Sequence, residues 1–190
     1  MRRLVVLGVI VFGLVLAACG GSSSSGKPAA SGSPGTTLHV AKVAEATPSK
    51  SAQMICETEA ENEIYQQATG VKAIKPLQPT WDKNTHIYSC DYVYPHGAVM
   101  KLSVKEMSSP EETTAYYNQL AQQLHKVKDQ YSIGQGAFTT QNGDLVVRKD
   151  YKVLLVDVSK LPASFGVPAD TREHVAVNVG GSIMNCWTGA

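Results

Sequence analysis

The chain has 190 residues, with 17 Lys and Arg, 16 Asp and Glu, and 43% hydrophobic residues. Setting aside Arg2 and Arg3 at the N-terminus leaves 15 basic and 16 acidic residues. That balance lacks the concentrated positive charge that nucleic acids or anionic membrane surfaces select, so it argues against nucleic acid as a partner.

The chain opens with Met1-Arg2-Arg3, then an apolar run over 4–15, then Leu16-Ala17-Ala18-Cys19. About a dozen apolar residues are too few to span a ~30 Å hydrocarbon core as a permanent helix, so residues 1–18 read as a cleaved signal peptide. Leu16, Ala17, Ala18 and Cys19 together resemble a bacterial lipobox, which implies lipid on the Cys19 thiol and cleavage just before it. The mature protein is then expected on the extracytoplasmic face of the cell membrane, held by a diacylglyceryl and acyl anchor. Two acyl chains suffice for stable anchoring, because each buried methylene contributes ~0.8 kcal/mol.

Residues 20–37 read GGSSSSGKPAASGSPGTT. A segment with so little apolar surface cannot offset its ordering entropy, so residues 19–50 read as lipidated cysteine plus flexible tether. Leu38-His39-Val40 has a short edge strand as its alternative reading.

Residues 51–190 are the right length for one packed α+β domain. Cys56, Ala60, Ile64 and Ala68 lie four apart on one helix face, and Gly70 suits a left-handed C-terminal cap. Tyr88, Cys90, Tyr92 and Tyr94 alternate with Ser89, Asp91 and Val93, Pro95-His96-Gly97 turns the chain, and Ala98, Met100, Leu102 and Val104 alternate with Lys101, Ser103 and Lys105, which predicts a hairpin. Ser109-Pro110 with Glu112 predicts the start of a second helix, its apolar stripe running through Tyr116, Leu120, Leu124 and Val127. Asn142-Gly143 predicts a tight hairpin between 137–140 and 144–148, and the near-continuous apolar run 152–158 reads as a central strand. A third helix is expected after Pro168, with Val175, Val179, Ile183 and Cys186 or Trp187 at helical spacing, although Gly180-Gly181 weakens it by about 1 kcal/mol per glycine. The predicted architecture is a mostly antiparallel sheet of about five strands, order α-ββ-α-βββ-α, with the helices on one face.

An exported chain sees an oxidising compartment, and Cys56 and Cys90 both fall on inner faces, so a Cys56–Cys90 disulfide is expected. Cys186 competes for either partner or stays a buried thiol. No C-x-x-C spacing supports thioredoxin-type chemistry.

The lipobox, the Gly/Ser tether, the cysteine of the first helix, Cys90-Asp91-Tyr92, Ile133-Gly134-Gln135-Gly136-Ala137-Phe138, Leu145-Val146-Val147-Arg148-Lys149 and Val153-Leu154-Leu155-Val156 together resemble small actinobacterial cell-envelope lipoproteins carrying a domain of unknown function. The resemblance implies location and architecture. It implies no activity, ligand or catalytic residue, and Gln135 and the additional Cys186 depart from it.

The remaining chemistry is sparse. Gly134-x-Gly136 lacks a third glycine and precedes a strand, so it reads as a turn rather than a phosphate loop. His39, His86, His96, His125 and His174 show no metal-ligand spacing, and no metal or other cofactor is expected. Glu57, Glu59, Glu61 and Glu63 read as a solvated helix face rather than catalytic carboxylates. Tyr88, Tyr92, Tyr94 and Tyr116 are the candidate ligand-binding residues, because tyrosine combines an apolar ring with a polar tip. The leading functional reading is a non-enzymatic, lipid-anchored surface domain that binds an envelope protein or a small apolar ligand. The alternatives are an envelope hydrolase with an unrecognised active site and a structural accessory subunit of an envelope complex.

Overall fold

A computed structural model describes residues 46–75 and 77–187. The lipobox, the tether and the Leu38-His39-Val40 strand lie outside the described residues.

The predicted first helix is broken. α1 (Lys50–Gln53) runs into a 3-10 turn (Met54–Cys56), Glu57 is extended (φ −84°, ψ 157°), and α2 (Thr58–Ile64) follows, ending in a π turn (Tyr65–Thr69). In a continuous helix the Ile55 carbonyl would accept from the backbone four residues on. Here it accepts from the Tyr92 hydroxyl at 2.6 Å, and its neighbour Cys56 is joined to Cys90. Gly70 closes the π turn in the left-handed conformation (φ 60°), as its sequence position predicts.

The strands are β1 (Thr80–Asp82), β2 (Ile87–Val93), β3 (Val99–Glu106), β4 (Lys126–Gln130), β5 (Gly136–Thr140), β6 (Leu145–Lys149), β7 (Lys152–Asp157), β8 (Ser164–Phe165) and β9 (Asp170–Thr171). α3 (Pro110–Gln123) connects β3 to β4, and α4 (Arg172–Cys186) follows β9. The first seven strands form one antiparallel sheet in the order β1-β2-β3-β7-β6-β5-β4, and β8 pairs with β9 separately. The architecture is therefore α+β, with seven strands in the main sheet where about five are expected from sequence.

β1 and β4 are the two sheet strands absent from the predicted order, and both are edge strands. β4 reads KVKDQ, with four of its five residues exposed. A polar, lysine-bearing edge resists pairing with other chains, and it also hides the strand from any hydrophobic pattern. Val127, expected on the stripe of the second helix, instead sits at the irregularity between Lys126 and Lys128 and is 66% exposed.

The helices do not share one face. Leu145, Val147, Leu154 and Val156 pack with Ala52, Ile55, Ile64, Val175 and Val179 from α1, α2, the turn between them and α4. The alternate residues Val146 and Val153 pack with Leu120, Tyr116 and Tyr117 of α3. Successive strand side chains point to opposite faces, so α3 lies across the sheet from the other helices. β6 and β7 are covered on both sides, which is why 152–158 reads as a nearly unbroken apolar run. The Ser109 hydroxyl caps α3 as predicted, accepting from Glu112 N at 3.1 Å, while the Glu112 carboxylate accepts from Ser108 N at 2.9 Å.

The Cys56–Cys90 disulfide, with Cα atoms 6.0 Å apart, ties the turn before α2 to the middle of β2. Closing a loop of this length in the unfolded chain stabilises by roughly 3.5–4 kcal/mol on the chain-entropy account.

The two glycines of α4 have different surroundings. A Cβ on Gly180 would lie 2.2 Å from Leu145 Cδ2, whereas one on Gly181 would meet nothing within 4 Å. Leu145 is fully buried, so it must shift within the core to make room. Gly181→Ala is therefore expected to stabilise the domain by about 0.5–1 kcal/mol through helix propensity. Gly180→Ala is expected to destabilise it by about 1–3 kcal/mol through overpacking against β6. Urea titrations of the two variants check the opposite signs.

Candidate functional site

β2 directs Tyr88 and Tyr92 toward α1, α2 and α4, and Tyr94 continues on that side just beyond the strand. Tyr92 and Tyr94 are each 1% exposed. Tyr92 donates to the Ile55 carbonyl beside the disulfide, so its ring and hydroxyl both fix the first turn to β2. The Tyr94 ring packs against Phe165 with centroids 4.8 Å apart. Its hydroxyl is buried beside Thr69 without closing a hydrogen bond to it. Burial pushes both phenols well above the ordinary value of 10.0, reinforced at Tyr92 by Tyr94 and at both by Glu61. Burial, and then Glu57, also raises Tyr88.

Tyr116 belongs to α3, on the other side of the sheet, where the Lys105 ammonium sits 5.4 Å from its ring centroid. The four candidate tyrosines are thus not brought together. Three belong to the core of one face and the fourth to the opposite face. The alternation that marks them as a patch is the alternation of a buried strand face.

A strap of residues 159–171 closes the end of the core beyond Tyr94. Val167 N donates to the Thr69 carbonyl at 2.7 Å. The backbones approach so closely that a Cβ on Gly70 would lie 2.1 Å from the Val167 oxygen. Leu161 is buried at the root of the strap, and Phe165 covers Tyr94.

The exposed functional groups lie on the α3 side of the sheet, at the end α3 leaves open. Asp91 of β2 stands opposite Lys101 of β3, and Lys101 opposite Asp157 of β7. With Val99 and Lys160 these residues line a cleft of about 90 Å³. Across the β6–β7 ladder from Asp157, Asp144, just before β6, is only 4% exposed. The Asp144 Oδ1 accepts from Val158 N at 2.9 Å, and Oδ2 accepts from Thr140 Oγ1 at 3.0 Å. Burial raises the Asp144 carboxyl above its ordinary 3.8, the Val158 bond opposes the rise, and the Asp157 charge adds to it. Asp157 Oδ1 in turn accepts from Ser159 N at 2.9 Å. A row of alternating charge suits a partner that presents the complementary row, and it disfavours an apolar ligand.

This row is absent from the residues singled out by sequence. Asp91, Lys101 and Asp157 are the polar halves of alternating strands and look like any solvated face. The available signal is register, because pairing the two predicted hairpins brings them into line.

The other candidates are placed as follows. Leu16, Ala17, Ala18, Cys19 and His39 lie outside the described residues. Cys186 ends α4 and is not part of the disulfide. His174 pairs with Asp170, and no group of three or more potential metal ligands occurs among the described residues. Gly134 is left-handed (φ 60°), with Gln135 N bonded to the Arg148 carbonyl at 2.8 Å, a turn leading into β5. No protein-family model, curated protein or solved structure matches the chain.

The two buried phenols predict different responses to loss of the hydroxyl. Tyr92→Phe is expected to destabilise by about 1–2 kcal/mol, because it leaves the Ile55 carbonyl without its Tyr92 donor. Tyr94→Phe is expected to be neutral or stabilising by up to about 1 kcal/mol. Both folded-state phenols hold their protons more tightly than in the unfolded chain. Their contribution is complete below pH ~10 and is lost as pH rises beyond it. Denaturant titrations of both variants, with tyrosinate absorbance followed through alkaline unfolding, check these signs.

Proposed function

We propose that this chain is a lipid-anchored cell-envelope lipoprotein of the actinobacterial kind, whose domain is a non-enzymatic interaction module for an envelope protein. The observation that carries the anchor is Leu16-Ala17-Ala18-Cys19 behind a basic start and a short apolar run. A disulfide between Cys56 and Cys90 supports an oxidising, extracytoplasmic setting. Among the described residues no helix is long and apolar enough to cross a membrane. Attachment through Cys19 would not require one.

Of the two binding modes the sequence suggests, the protein partner is favoured. Tyr92 and Tyr94 are sealed in the core, so they offer an apolar ligand no surface. Asp91, Lys101, Asp157 and Lys160 are presented on the open end of the sheet, where a complementary charged row on another protein can align. Exposed pairs of this kind contribute mainly to orientation and association rate, so the expected complex is salt-sensitive.

The test has two arms. Metabolic labelling with a fatty acid, followed by membrane fractionation, is expected to place the native protein in the membrane and Cys19→Ala in the soluble fraction. Unlabelled native protein, or a Cys19→Ala variant that survives an alkaline wash in the membrane, overturns the anchor. Crosslinking of native cells is expected to recover one stoichiometric envelope protein, and Lys101→Glu to reduce its yield. An unchanged yield removes the charged row from the interface.

A further inference from the structure

Strand side chains alternate, so the residues of β2 and β3 that turn away from the tyrosine core include Ser89, Asp91 and Val93, and Val99, Lys101 and Ser103. The ladder sets them in rows: Val93 opposite Val99, Asp91 opposite Lys101, and Ser89 opposite Ser103. Asp91 and Lys101 are exposed, and the two valines are half-buried. α3 crosses away from this corner. It starts beside the other end of β3, where Lys105 sits 5.4 Å from the Tyr116 ring centroid, and it leads across to β4 at Lys126.

We propose that this corner binds a second copy of the chain, in a two-fold dimer whose axis runs between β2 and β3, parallel to both. The inference rests on the reading of the charged row as an interaction surface, and it names the partner of that surface. In a two-fold contact each residue meets its counterpart reciprocally, so the patch must be complementary to itself. Rotation about this axis lays β2 of one copy on β3 of the other and keeps each row at its own height. Asp91 then faces Lys101 of the second copy, and Lys101 faces its Asp91. In the next row Val93 faces Val99 of the second copy, and the reverse, so four valines meet beside four alternating charges. Exposed ion pairs are individually weak; the valines supply the apolar burial and the charges supply the register.

The other two-fold arrangements of the same face bring like charges together. An axis across the strands, along the row, sets Asp91 on Asp91 and Lys101 on Lys101. An axis at the β3–β7 seam pairs Lys101 with Asp157, but it lays Asp91 over the next place in the row, which Asp144 of the neighbouring strand position holds. The charge pattern thus selects one axis, and the chain entry agrees with it. The Trp81 indole donates to the Ala46 carbonyl at the end of the sheet where β2 begins. An axis along the strands keeps both copies pointing the same way, with both Ala46 residues at one end of the pair and the contact toward the other. Two chains anchored in one membrane need that polarity, and an axis across the strands would send them to opposite ends. Confinement to a membrane also raises the effective concentration at which a weak contact is populated.

The test uses the full-length protein in native membranes, as two copies with different epitope tags. One carries Val93→Cys and the other Val99→Cys, and a disulfide between the tags is expected on a non-reducing gel. Asp91→Lys introduced into both copies is expected to lower its yield several-fold, as is Lys101→Asp introduced into both. Asp91→Lys in one copy with Lys101→Asp in the other makes one row wholly positive and its counterpart wholly negative, and is expected to restore the yield. That restoration also shows that each variant folds. No disulfide between copies of native charge overturns the dimer, as does a mixed pair that joins no better than the single-variant pairs. If the copies do not join while Lys101→Glu still lowers the capture of a different envelope protein, the dimer is overturned and the interaction surface stands. If neither is seen, both are overturned.

Discussion

Two antiparallel meanders, β1-β2-β3 and β4-β5-β6-β7, become one sheet through the ladder between β3 and β7, six residue pairs from Lys101 opposite Asp157 to Glu106 opposite Lys152. Neither meander forms a self-sufficient layer. The first has only three strands, and its apolar side is the tyrosine row that α1, α2 and α4 cover. The second presents apolar residues on both faces and needs a helix on each. Pairing β3 with β7 places the doubly apolar strand at the centre of the sheet, fourth of seven. Every helix position follows from that placement. α4 and α2 complete one face, and α3 must cover the other, because Val146, Val153 and Phe138 would otherwise face water.

The same seam creates the exposed chemistry. α3 packs over the β4–β7 half, so the β2–β3 half keeps an open side. The β3–β7 register then brings Lys101 beside Asp157, and the β2–β3 register brings Asp91 beside Lys101. A shift of one residue would turn these side chains into the core and send Leu102 and Val156 to solvent, which hydrophobic burial forbids. The charged row is thus a by-product of the register that fills the core, and it is held as firmly as the core itself.

Much of this was readable in the chain. The hairpin around Pro95-His96-Gly97, the cap at Ser109, the turn at Asn142-Gly143, the apolar strand from 152 and the last helix all appear where local chemistry puts them, because caps, turns and periodicity are short-range properties. What could not be read is long-range. β4 carries no alternating apolar signal because four of its five residues are exposed. The break at Glu57 needs the Ile55 carbonyl to meet Tyr92, 37 residues away. Gly180 looks like a helix weakness until Leu145 is packed against it. The side on which α3 lies depends on which alternate residues of β6 and β7 it covers, and an apolar run without alternation cannot say. For Tyr88, Tyr92 and Tyr94, alternation reveals a shared face but not whether helices close over it. That one unknown separates a ligand pocket from a core.

The N-terminal junction shows how the domain meets the chain before it. The Trp81 indole donates to the Ala46 carbonyl at 3.0 Å, and the Ser49 hydroxyl and amide both donate to the buried Glu106 carboxylate at the end of β3. The polypeptide therefore enters where β2 begins and β3 ends. Lys101 stands near the start of β3, several residues back along the same strand, and the strap leaves the far end of β7. At ~3.3 Å per strand residue, the five residues from Lys101 to Glu106 separate the incoming chain from the charged row by roughly 17 Å. The chain therefore reaches Ala46 at one end of the sheet, and the Asp91–Lys101–Asp157 row and the strap lie at the other.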